Sequence, residues 1–214
     1  KFFYGASLYK VPLLMLVSNM VARGELAQDA EIGGFKLTDM EEAILVVSNN
    51  PYAHLLMNHF WRNGRECREN FPALAGMENE ELPSNFYTMS DFSPRFITRV
   101  MYTLYSDPDS YPMMLDFLKQ ATPHKYFRYE LEDQYEIAEK FGYYENSRHV
   151  TGIIYTEHPI IVTYMSRDIG PLGRFSSDLA VRLVDYSKIL DERLEEHEEK
   201  LRLEEEKRLA EGGS

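Results

Sequence analysis

From Ser7 to Arg23 apolar residues fall on every side of a helical projection: Val11, Leu13, Leu14, Met15, Leu16, Val17, Met20 and Val21. A helix apolar all round belongs in the middle of a domain, and Gly24 marks its end. A signal peptide is the competing reading of this run, with Lys1 and Lys10 ahead of it, but Pro12 and Ser18-Asn19 oppose it. Thr38 opens a second helix, with Asp39, Glu41 and Glu42 in its positive first turn and Ile44 to Val47 behind them. Ser48-Asn49-Asn50 interrupts it, and Pro51 restarts a helix that Gly64 is expected to end. Thr88–Leu104 and Tyr111–Lys119 read as further helices around the turn Ser106-Asp107-Pro108-Asp109, with a polar loop over Met77–Asn85. After Pro123 the texture changes. Tyr135–Tyr144 is rich in aromatics, His149–Tyr155 and Ile160–Met165 are β-branched, and Glu157-His158-Pro159 between the last two predicts a hairpin. Ser176–Leu190 returns to helical spacing.

The predicted class is α+β: an antiparallel sheet flanked by helices, in the manner of an α/β sandwich, plus an all-helical lobe. One domain is expected over 1–190, with the lobe at about 37–125, the sheet at about 135–166 and a closing helix at about 176–190. Three strands are few for so large a core helix, and the chain opens abruptly at Lys1-Phe2-Phe3-Tyr4. N-terminal strands are therefore expected to be missing from this chain or supplied by another segment. The expectation is that the chain either pairs the sheet edge left open with another chain, in a homodimer, or is a trimmed piece of a longer protein.

Charge adds a tail and removes some function classes. Residues 191–211 hold ten acids and five bases, and they read as a solvated helix rather than a coiled-coil strand, because Glu204 and Arg208 break the seam that Leu190, Leu194 and Leu201 begin. Gly212-Gly213-Ser214 reads as an appended remnant. With 23 Lys+Arg against 35 Asp+Glu the net charge is -12, which argues against a nucleic-acid partner. No apolar run reaches the length of a membrane span. The single cysteine, Cys67, excludes an internal disulfide. The six histidines show no metal spacing: His54 and His59 do not share a helix face, and His149 reads as a satisfied sheet histidine. No metal and no cofactor is expected.

Three short patterns carry chemistry. In Ser7-Leu8-Tyr9-Lys10 the i,i+3 spacing lets the lysine amine reach the serine hydroxyl. A serine is a weak nucleophile until a base takes its proton, and a lysine among apolar side chains has a lowered pKa suited to that task. In Ser48-Asn49-Asn50 a second hydroxyl can relay a proton, and the Asn50 amide can hold a substrate carbonyl. In Lys140-Phe141-Gly142 the lysine can hold a carboxylate, and the glycine lets a substrate lie close to the strand edge. Each has a plain alternative when taken singly: an N-cap serine beside a solvated lysine, an Asn50 N-cap before Pro51, and a lysine on a strand.

Taken in order, Ser-x-x-Lys, Ser-x-Asn and Lys-x-Gly resemble the penicillin-recognising serine hydrolases, which include class A β-lactamases and the D-alanyl-D-alanine peptidases called penicillin-binding proteins. The flanks fit as well. Ala6 to Pro12 looks like the nucleophile helix, Leu37 to Ala53 like the second-motif helix and turn, and Lys140-Phe141-Gly142 with Arg148 to Tyr155 like the third-motif strand and its neighbour. The resemblance covers roughly residues 1–190 and is closer to the class A-like branch. It implies a β-lactamase/transpeptidase-like fold with Ser7 as acylated nucleophile, Lys10 as its base and Ser48 as proton shuttle. Asn50 would contact the substrate amide, Lys140 would anchor a substrate carboxylate, and the Ser7 and Tyr143 amides would form an oxyanion hole beside Gly142. Implied partners are a peptidoglycan-type peptide or a β-lactam. The implied location is extracytoplasmic, secreted or anchored to the bacterial surface by a segment outside this chain.

Three departures qualify the expected activity. Phe141 stands where the family has a hydroxyl residue, which removes a hydrogen bond to the substrate carboxylate and sets a ring near the cleft entrance or beneath it. Asn49 replaces a common acid. Met77–Asn85 holds Glu78, Glu80 and Glu81, but without the Glu-x-x-Leu-Asn spacing that drives deacylation in class A enzymes. The expectation is an acyl-serine hydrolase with slow deacylation. The alternative is a degenerate member that binds cell-wall peptide or a partner protein without turnover.

Overall fold

Pro12 has no N–H and is tolerated only in the first turn of an α-helix, so the buried apolar run cannot be α-helical much before it. The computed structural model, which describes residues 1–168 and 172–211, places the boundary there. Ala6–Tyr9 form a 3-10 turn and helix α1 spans Lys10–Ala22, where the sequence predicts one helix from Ser7. Val11, Leu13, Leu14, Met15 and Val17 lie at the centre of the larger core. A two-residue strand β1 (Phe3–Tyr4) precedes the turn, and a small hairpin, β2 (Glu31–Ile32) and β3 (Phe35–Lys36), follows α1. The sequence reading has none of these short strands, because two residues carry no period.

The helical lobe continues with α2 (Leu37–Val46), α3 (Asn50–Phe60), α4 (Gly64–Arg68), α5 (Phe71–Leu74) and α6 (Ser84–Met89). Gly64 therefore opens α4 rather than ending α3. Trp61 is already extended, and the Asn63 side chain caps α4 by accepting from the Glu66 N–H. The expected helix Thr88–Leu104 is likewise two helices with a strand between them. Ser90 turns left-handed at φ 59, β4 (Asp91–Phe92) pairs with β1, and α7 spans Pro94–Ser106. Ser93 caps α7 and Pro94 starts it, a stop-and-start signal that the apolar spacing of the window masks. The helix α8 (Met114–Lys119) and the turn α9 (Arg128–Leu131) complete the lobe.

The main sheet is the antiparallel meander β5 (Ile137–Tyr144), β6 (Ser147–Ile154) and β7 (Ile160–Arg167). Its strands alternate between two cores. Ala138, Ile153 and Met165 join the core around α1, whereas Ile137, Val150, Ile154 and Val162 face Phe127 and Leu131 beside α9. The final helix, α10, runs without a break over Leu172–Glu211. Ala180 and Val184 on its first half cover the second core. Leu190, Leu194, Leu201 and Leu203 farther along are exposed. Gly212-Gly213-Ser214 lies outside the described residues.

A buried Arg128–Glu139 contact fastens β5 to the turn ahead of it. Arg128 is 3% exposed and donates to the carbonyls of Leu118 (2.7 Å), Ala121 (3.2 Å) and Ile137 (2.7 Å), with the Glu139 carboxylate 3.7 Å away. Glu139 also accepts from the Phe127 N–H at 3.2 Å. Burial pushes the Glu139 carboxyl up to about 8, against the pull of Arg128. Removing the guanidinium strands three carbonyls and a carboxyl, so Arg128→Ala should cost about 3 kcal/mol or more. Urea denaturation checks this, and a loss below about 1 kcal/mol would show that the pair is dispensable.

Candidate active site

Ser7 sits in the 3-10 turn that leads into α1, on a backbone held from two sides. On one side the Gly5 N–H donates to the Ser90 carbonyl at 2.8 Å, and a Cβ on Gly5 would lie 2.4 Å from the Phe92 ring. Only glycine fits between β4 and the turn. On the other side β5 presses in: a Cβ on Gly142 would lie 3.0 Å from the Gly5 carbonyl and 3.3 Å from Ala6 and Leu8. The sequence reading gives Gly142 the task of admitting a substrate. In the structure its bare face packs against the turn that carries Ser7, so the Ser7 and Tyr143 amides lie on adjoining backbones. Ala6 takes a positive φ of 46° between the two constraints.

Lys10 is fully buried, and its ammonium is the hub of the site. Nζ lies 3.2 Å from Ser7 Oγ, 3.0 Å from Ser48 Oγ, 2.6 Å from the Ser48 carbonyl and 2.5 Å from Asn50 Oδ1. Four acceptors surround a group with three N–H bonds when charged and two plus a lone pair when neutral. Loss of a proton therefore leaves a lone pair among oxygens that include the Ser7 hydroxyl. Burial lowers the Lys10 pKa to about 8, so the neutral amine is within reach near neutral pH.

Ser48 reaches the hub because the chain leaves α2 through a left-handed residue. Its φ is 59°, and the Asn49 N–H closes the turn on the Ala43 carbonyl at 3.0 Å. That conformation costs a non-glycine residue about 1–2 kcal/mol. It turns both the carbonyl and the hydroxyl of Ser48 toward Lys10. The cap of α3 is Asn49, whose Oδ1 accepts from the Tyr52 N–H at 2.9 Å. Asn50, the cap expected from its place before Pro51, is thereby left to accept from Lys10.

Lys140 arrives from the sheet. It is fully buried and donates to Ser48 Oγ at 2.8 Å and to the Phe141 carbonyl at 3.2 Å. Burial and the neighbouring Lys10 push its pKa well below that of a free lysine. The hydroxyl of Ser48 thus accepts from two amines at once. With both lone pairs used, its own proton is free to be donated outward. The five side chains named by the Ser-x-x-Lys, Ser-x-Asn and Lys-x-Gly patterns, Ser7, Lys10, Ser48, Asn50 and Lys140, converge on one point. Tyr143 is 56% exposed beside them, with the Arg148 guanidinium 3.7 Å over its ring.

Three features surround this cluster, and of them the cavity and the Tyr126 stack have no signal in the sequence reading. Phe141 puts its ring 4.5 Å from Lys140 Nζ and stacks on Tyr126, with centroids 5.5 Å apart and 18° between planes. The imidazole of His149, fully buried on β6, contacts the Tyr4 carbonyl at 2.7 Å and accepts from the Ser166 N–H at 3.2 Å. It is the satisfied sheet histidine the sequence suggests, and it also steadies β1. A cavity of about 400 Å³ opens where β1, β4 and the β5–β6 turn meet, lined by Tyr4, Asn85, Asp91, Tyr144, Glu145 and Arg167, and Ser7 is not among its lining residues.

Known proteins carry the same arrangement of elements. PBP-A matches with a TM-score of 0.72 at 15% identity, over 88% of this chain and 82% of that one. The chromosome-encoded β-lactamase of Vibrio parahaemolyticus matches with a TM-score of 0.73 at 15% identity, over 88% and 86%. A β-lactamase of Sphaerobacter thermophilus gives 0.72 at 17%, over 88% and 85%. At such identities the likeness is one of fold, and it is the β-lactamase/penicillin-binding-protein fold. Comparison with curated protein sequences gives no match. The family evidence comes from the sequence: the profile of the beta-lactamase enzyme family matches residues 39–184, about two thirds of the chain. The chain therefore belongs to the beta-lactamase enzyme family, within the penicillin-recognising serine hydrolases.

Proposed function

We propose that this chain is an acyl-serine hydrolase that cleaves an amide through an ester on Ser7 and releases it slowly. The observation that carries this reading is the placement of the Lys10 amine, 3.2 Å from Ser7 Oγ and hydrogen-bonded to Ser48. In the proposed reaction Ser7 Oγ bonds to the acyl carbon as its proton passes to neutral Lys10. The Ser7 and Tyr143 amides would receive the charge that develops on the acyl oxygen. The amide C–N bond then breaks while the Ser48 hydroxyl donates its proton to the leaving nitrogen and takes one back from the amines behind it. Water attacks the ester and returns the proton to Ser7. The close hydroxyl–amine–hydroxyl contact favours turnover over the alternative of a silent peptide binder.

Slow release agrees with where the acids of the 77–90 segment go. Glu80 pairs with Arg95 at 2.8 Å and Arg99 at 3.0 Å, and Glu78 and Glu81 are exposed. Among the described residues no carboxylate hydrogen-bonds to Ser7. The substrate class proposed is a cell-wall peptide, with β-lactams as mimics. One solved fold relative, a variant of PBP-A, is held as an acyl-enzyme with penicillin G. An extracytoplasmic setting goes with that substrate. The outer edge of β7 pairs with no strand among the described residues, which supports a homodimer formed along it.

Three outcomes follow from this reading. Penicillin G should add its mass to the intact protein and to no Ser7→Ala variant; an adduct that survives that substitution would sink the proposal. The acylation rate should climb about tenfold per pH unit below 8 and level off above it, because only the neutral Lys10 accepts a proton. A stopped-flow profile flat from pH 6 to 9 would remove Lys10 from the role of base. Equilibrium sedimentation should give twice the 25.0 kDa chain mass, and a monomer at micromolar concentration would dismiss the strand-edge dimer.

A further inference from the structure

The Lys140 ammonium is the group that an incoming carboxylate would have to meet, and every direction around it is taken. Ser48 Oγ and the Phe141 carbonyl hold two of its N–H bonds. The face of the Phe141 ring, 4.5 Å from Nζ, covers a third direction, as cations and aromatic faces prefer. No part of Lys140 is exposed. The ring is itself held, because Tyr126 stacks against it almost in parallel. Swinging Phe141 aside would break both the stack and the cation–π contact.

Lys10 and Arg148 nearby are engaged as well, whereas Arg167 lines the cavity beside β1 at the far side of the sheet end. Lys10 has four oxygen neighbours already. Arg148 lies over the Tyr143 ring and donates to the carbonyls of Glu145 and Ser147. Opposite Lys140 on β6 stands Thr151, whose hydroxyl is spent on Thr163 and the Val162 carbonyl. The chain as a whole carries a net charge of -12, which repels anions at long range. What the entrance does offer is apolar surface, with Tyr143 56% and Tyr144 52% exposed next to the stacked pair.

We propose that Phe141, held by Tyr126, shields the Lys140 ammonium from anions, so that the site favours acyl compounds bearing no free carboxylate at that position (amidated or esterified ends and internal amides) over those that carry one. Lys140 then serves Ser48 alone, as a donor that holds the shuttle hydroxyl and resupplies its proton. The inference rests on the acyl-serine reading above and narrows its substrate class.

Penicillin G and its methyl ester differ only in that carboxylate, which makes them the pair to compare. Acylation of Ser7 is followed by intact mass, each rate being divided by that compound's hydrolysis rate in alkali. The methyl ester is expected to acylate the wild-type protein at least tenfold faster than the acid. In Phe141→Thr the ratio is expected to fall at least tenfold, as the ammonium is uncovered. An acid that reacts with wild type as fast as its ester, or faster, overturns the inference while leaving the hydrolase reading intact. So does an unchanged ratio in a folded Phe141→Thr protein. The wild-type ratio decides the matter even if the variant does not fold. No adduct with either compound overturns the hydrolase reading, and this inference with it.

Discussion

Two lysine amines held out of water against a single serine hydroxyl form the constraint around which the molecule is arranged. Burying one ammonium is costly unless oxygens surround it, and two together repel. Their oxygens come from four separate pieces of chain: the turn before α1, the left-handed exit of α2, the start of α3 and the strand β5. None of these can shift without leaving an amine unsolvated. The glycines at 5 and 142 and the positive φ of Ala6 and Ser48 are the local accommodations that let these pieces meet. The same crowding prepares the chemistry, since an amine that is hard to keep charged is ready to take a proton from a neighbouring hydroxyl.

Much of this was legible in the sequence, and for physical reasons. The run from Val11 to Val21 is apolar on all sides, so it had to be central. Lys10 at its start could be either solvated or buried with it; the structure buries it and surrounds it with oxygens. The β-branched runs and the Glu157-His158-Pro159 turn predict β6 and β7 because a strand lying between two cores is apolar on both faces and reads as a continuous run. The short motifs, weak one at a time, gained force from their order along the chain.

What stayed hidden lies below the length at which patterns speak. The strands β1 to β4 have two residues each, too few to show alternation. The window from Thr88 to Leu104 looks continuous because Phe92 and Phe96 keep helical spacing across a break that Ser90 and Pro94 impose. The plain alternative of Asn50 as the α3 cap fails: Asn49 caps the helix, and the Asn50 oxygen accepts from Lys10, forty residues away in sequence. Phe141 was visible as a departure, but its position over an ammonium depends on Tyr126, on a turn that no local signal ties to β5.

The unbroken length of α10 has a consequence for measuring this protein. Forty helical residues extend for about 60 Å, and the half beyond Leu190 stands clear of the globular body with its leucines exposed. A body with such a rod attached has far more hydrodynamic drag than a sphere of equal mass. It will leave a gel-filtration column early and diffuse slowly even as a single copy, so its Stokes radius reports shape before it reports stoichiometry.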